Sequence, residues 1–67
     1  MIIYTIFKNN ELIWARNFTT KNKEDAIQKI KDTIKDIEKN ANVNGINFDG
    51  ETLEFNSLDE KHVMMIK

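Results

Sequence analysis

A chain of 67 residues holds one domain, spanning 1–67, and buries only about 60% of the surface its unfolded form exposes, so it leans on disulfides, a metal or a partner. With no cysteine and a single histidine, His62, disulfides and thiolate metal sites are excluded and a partner is the support that remains. A net charge of −1 from 11 acidic and 10 basic residues gives no phosphate-seeking excess, and no apolar run approaches the ~20 residues of a membrane span.

In chain order, residues 2–18 read as a β-hairpin. Ile2 to Phe7 and Leu12 to Phe18 are rich in β-branched and aromatic residues, and Asn9-Asn10 suits a two-residue turn because Asn tolerates positive φ. That turn sets a register in which Phe7 faces Leu12, Thr5 faces Trp14 and Ile3 faces Arg16. On the other side Ile6 faces Ile13, Tyr4 faces Ala15, and Lys8 pairs with Glu11. The second set is assigned to the core, so Trp14 is placed on the outer face.

Residues 23–39 read as a helix. Ile27, Ile30, Ile34 and Ile37 form one apolar stripe flanked by Ala26 and Ala41. Asn22 is the expected N-cap, Glu24 and Asp25 suit the first turn, and Lys35 and Lys39 suit the last. Asn40 or Asn42 is expected to end the helix in left-handed geometry ahead of Gly45. The lysines alternate with Asp32, Asp36 and Glu38, as on a solvated face.

Residues 44–56 read as a second hairpin about Asp49-Gly50, with Ile46 facing Leu53, Phe48 facing Glu51 and Phe55 on the same apolar side. Glu54 and Asn56 lie on its polar side. Ser57 to Lys61 read as a polar connection to a last strand, His62 to Ile66. The fold class is therefore α+β, in the order β-β-α-β-β-β. The two strands apolar on both sides, the first and the last, belong at the centre. Neighbouring them gives an antiparallel sheet of order 2-1-5-4-3 with one amphipathic helix on one face.

One helix covers one side of such a sheet. The other would carry Ile3, Phe7, Leu12 and Trp14, edged by Arg16, with alternate residues of 63–66. Large contiguous apolar patches mark contacts; the competing reading is a sheet that curls and encloses Trp14. No catalytic constellation stands out. Ser57, His62 and Asp59 or Glu60 crowd one short segment, unlike a triad converging from separate elements, and His62 reads as an exposed strand-edge residue. Gly45 and Gly50, the only glycines, are explained by turns, so no phosphate loop, metal site or cofactor is expected.

The expected function is non-enzymatic: a protein-binding regulator or inhibitor acting by stoichiometric binding through the open sheet face. Its protein partner is of unknown identity, and a homodimer is one form it could take. Two alternatives are a structural self-assembling subunit and a single-stranded nucleic-acid binder, the latter disfavoured by charge. A second surface is the acidic stretch from Asp49 to Glu60, where Glu51 and Glu54 could enter a basic groove on a partner. In size and composition the chain resembles small phage- and plasmid-borne inhibitors. The Met-Ile-Ile-Tyr start carries no basic leader, and cytoplasmic residence is expected.

Overall fold

The computed structural model describes residues 1–67. Its elements are β1 (Ile2–Lys8), β2 (Glu11–Phe18), α1 (Lys23–Ile37), β3 (Val43–Phe48), β4 (Thr52–Ser57) and β5 (Glu60–Ile66). The strands form one sheet of order β2-β1-β5-β4-β3, with every neighbouring pair antiparallel. The doubly apolar strands β1 and β5 do lie side by side at its centre. Pairing them brings Met1 beside Lys67, whose N–H donates to the Met1 carbonyl at 2.8 Å.

The helix lies on one face and seals a small core of Ile2, Ala26, Ile30, Leu53, Phe55 and Met64. Tyr4, Ile34, Ile37, Val43, Phe48 and Ile66 pack around it. Each large apolar side chain so buried is worth about 1.5–3 kcal/mol, and the helix depends on that packing because its exposed face is polar. Asn22 caps it as its sequence position predicts: its side-chain oxygen accepts from the Asp25 N–H at 2.8 Å. Asp25 reaches back to the Lys21 N–H at 3.0 Å, one residue beyond the usual capping-box partner.

The helix ends earlier than its polar pattern suggests, at Ile37 with Glu38 as C-cap, and leaves Ala41 outside. Neither Asn40 nor Asn42 is left-handed. Instead the Lys39 and Asn40 N–H groups donate to the carbonyls three residues back, Asp36 and Ile37, tightening the final turn.

Both hairpins depart from the simplest register. In the first, Asn9 and Asn10 adopt φ of 52° and 64°, as a two-residue turn demands, and Lys8 faces Glu11. A bulge then inserts Ile13, so Trp14 faces Ile6, Ala15 faces Thr5 and Arg16 faces Tyr4. The insertion turns Trp14 and Phe18 toward the helix-side face, against Tyr4 and Ile2, where the unbulged register would have put Ala15 and Asn17. There the Trp14 ring meets Tyr4 edge-on, and Tyr4 in turn packs against the core.

In the second hairpin Phe48 faces Leu53, not Glu51, because Asp49 opens a longer turn. Its carboxylate accepts from the Glu51 and Thr52 N–H groups at 3.0 and 2.8 Å. A further irregularity at Gly45–Ile46 leaves Ile46 exposed rather than in the core. Gly45 has φ of +61°, and a Cβ there would sit 2.6 Å from the Asn56 amide nitrogen. Finally, the connection after β4 is only Leu58-Asp59, and β5 begins at Glu60.

Candidate interaction surface

Cross-strand partners in an antiparallel sheet share a face, so the registers sort every strand residue. Ile3 lies beside Met65 and Thr52, Thr5 beside Val63 and Glu54, and Phe7 beside Lys61 and Asn56. From β2 the same face receives Leu12, Ala15 and Asn17. The side away from the helix thus has an apolar centre of Ile3, Phe7, Leu12, Val63 and Met65. Its border along β4 and β3 is polar, with Glu54 and Lys61 3.7 Å apart and Asn44 and Asn47 beyond.

The depth of this patch is uneven. Ile3, Phe7 and Val63 are half-buried by their neighbours, whereas Leu12 is 56% exposed and Met65 49%. At one end, between the tips of the first hairpin and of β4–β5, lies a hollow of about 500 Å³ lined by Asn9, Asn10, Asn56, Asp59 and Lys61 with Phe7 and Val63.

The expected surface is therefore divided. Ile3, Phe7 and Leu12 do share the open face. Trp14 and Arg16 do not; the bulge carries them to the helix side, where Trp14 meets Tyr4 edge-on with ring centres 5.2 Å apart and Arg16 lies 5.4 Å over its own Phe18 ring. Every residue of β2 is exposed. Trp14 remains 39% exposed, so the sheet does not enclose its indole. Glu51 and Glu54 also part company: Glu54 borders the open face, while Glu51 sits in the turn beside the helix start, 2.7 Å from the Lys23 ammonium.

His62 is not an exposed edge residue. It sits inside central strand β5 on the helix side, its side chain 12% exposed, stacked on Phe55 at 4.7 Å. Its Nδ1 is 2.6 Å from the Tyr4 hydroxyl. Burial, and then the Glu60 carboxylate, push the Tyr4 phenol above its ordinary pKa, which keeps it a neutral donor. Where Tyr4 is the donor of this bond, the ring proton lies on Nε2. That nitrogen is 3.4 Å from Glu60 Oε1, but without hydrogen-bond alignment, and is buried without a partner. Ser57 has no part in this cluster, whose Nδ1 partner is Tyr4.

Tyr4 also helps line a groove of about 440 Å³ between the helix and β2, with Ile2, Phe18, Thr19, Lys29, Thr33 and Met64. The Tyr4–His62 pair has no local signature, since its members are 58 positions apart. The bulge has none either. No three His, Cys, Asp or Glu side chains are grouped to hold a metal ion, and no helix is long and apolar enough to cross a membrane. Compared with known proteins, the chain matches no family model, no curated protein and no solved structure.

Proposed function

We propose that this chain is a non-enzymatic protein-binding module, a regulator or inhibitor that works by stoichiometric occupancy, and that its contact is the open sheet face. One observation carries the reading. Leu12 and Met65 stand exposed beside Ile3, Phe7 and Val63 on the side no helix covers. A polar second face needs no cover, but a continuous apolar centre rimmed by Asn, Thr, Glu and Lys has the composition of an interface core and rim. The acidic hairpin is a weaker candidate, because Glu51 and Glu54 point to different places and each has a lysine beside it.

The test uses a double variant, Leu12→Glu with Met65→Glu. Both side chains are exposed, so circular dichroism and urea midpoint should change little. Affinity capture from the source cells should then lose the proteins held stoichiometrically by the wild type. Retention of the same proteins by the folded double variant would remove the open face from the mechanism.

A second reading gains from the bulge. Tyr4, Trp14 and Phe18 share the helix-side face with Arg16, with Lys29 at the groove, and aromatics beside cations suit stacked single-stranded bases. Titration of oligonucleotides against Trp14 fluorescence at low salt decides it: no quenching ends this reading.

A further inference from the structure

Strand β2 has β1 on one side and nothing on the other, so half of its backbone N–H and C=O groups point out of the sheet. Which half is fixed at the far end of β1. Met1 and Lys67 exchange two hydrogen bonds, at 2.8 and 3.2 Å. Bonded and unbonded pairs alternate along an antiparallel ladder, so odd-numbered residues of β1 bond to β5 and even-numbered ones to β2. Thr5 therefore bonds away from β2. Ala15, which faces it, presents its N–H and C=O outward.

Edge strands are usually guarded by proline, charge or bulges. This chain has no proline, and the bulge lies toward the hairpin tip at Ile13. From Trp14 to Phe18 the strand is regular, and Arg16 is its one charge. That charge does more to select a register than to block pairing.

We propose that β2 pairs antiparallel with β2 of a second copy, about a twofold axis that stands perpendicular to the sheet and passes between the two Ala15 residues. Ala15 then bonds to its own equivalent through the groups that are free. Arg16 faces Trp14 of the other copy, and Trp14 faces its Arg16. A guanidinium already lying over Phe18 gains the indole beside it, a cation–π contact made twice by symmetry. Centring on Arg16 instead would set two guanidinium groups directly opposite, which is repulsive. Centring on Asn17 would overlap only the last residues of the strand.

The axis keeps both helices on one side and both open faces on the other. The pairing rests on the edge alone, and it stands whether or not the open face binds a partner.

Sedimentation equilibrium and two single-cysteine variants test it, since the chain has no cysteine of its own. Paired Ala15 residues place their Cα atoms about 5.5 Å apart, within disulfide reach. Asn17 of each copy is offset by four residues, or roughly 14 Å. The expected result is a wild-type dimer, with oxidative cross-linking of Ala15→Cys and not of Asn17→Cys. Ala15→Pro, which removes an N–H that β1 does not use, should be a folded monomer. A wild type that stays monomeric at millimolar concentration overturns the proposal, as do equal cross-linking at both positions or none at either. A folded Ala15→Pro dimer also overturns it, and if that variant fails to fold the two cysteines decide.

Discussion

Leu58 has φ of 57° and is 81% exposed. A left-handed backbone costs a residue with a Cβ about 1–2 kcal/mol, and no burial of its side chain offsets that here. Asn tolerates the same conformation, so Leu58→Asn is expected to raise stability by about 1 kcal/mol, read as a higher urea midpoint with an unchanged slope. The opposite holds at Tyr4. Replacing it with Phe leaves His62 Nδ1 without its partner, beside an Nε2 that already has none, and should cost about 1–3 kcal/mol. The pH dependence has a definite sign. Because the fold favours the neutral phenol and raises its pKa, that contribution is whole below the ordinary tyrosine value. It is lost as pH rises through the raised one. Urea midpoints from neutral to strongly alkaline pH should fall more steeply for the wild type than for Tyr4→Phe; parallel curves would deny Tyr4 this role. None of this was readable at a single position: His62 looked like a surface residue because its contacts come from two other strands.

At the scale of elements, legibility followed the range of the interactions that decide each one. The helix start is local, so Asn22 and the acidic first turn announced it. Asn22→Ala should cost about 1 kcal/mol, and helical ellipticity should melt earlier in a thermal scan; an unchanged melt would mean that packing alone sets this end. The Lys21 N–H, and after it Lys29, hold the Asp25 carboxyl below its usual range. Its contribution is therefore present above the ordinary carboxylate pKa and fades as pH falls through the lowered value. The strand centres were equally plain, being rich in apolar, β-branched and aromatic residues. The hairpin registers were not. An inserted Ile13 and an Asp49 side chain that lengthens a turn leave no short-range mark, yet each resets which residues face each other. One insertion moved Trp14 and Arg16 across the sheet while Ile3, Phe7 and Leu12 stayed. Three of the five positions expected on the open face were thus placed correctly, and the two misplaced ones lie beyond the bulge.

For the whole molecule, strand order was legible because only two strands are apolar on both sides and a sheet of five has few central places. The same arithmetic makes the two faces unequal, and neighbouring methionines on β5 measure the inequality. Met64 is 6% exposed against the helix-side core, while Met65, next in the chain, is 49% exposed on the open face. Truncating a buried Met to Ala costs about 2–5 kcal/mol, and a domain of this size holds few kcal/mol in reserve, about 3–5 from its core. Met64→Ala should therefore leave little folded protein at room temperature. Met65→Ala, losing a side chain that mostly meets water, should stay within about 0.5 kcal/mol of the wild type. Urea titration of the pair measures how far the open face contributes to folding at all. A large loss at Met65 would mean that this face is covered in solution, and repeating the titration at several protein concentrations would show whether the cover is a second copy, since only then does the midpoint rise with concentration.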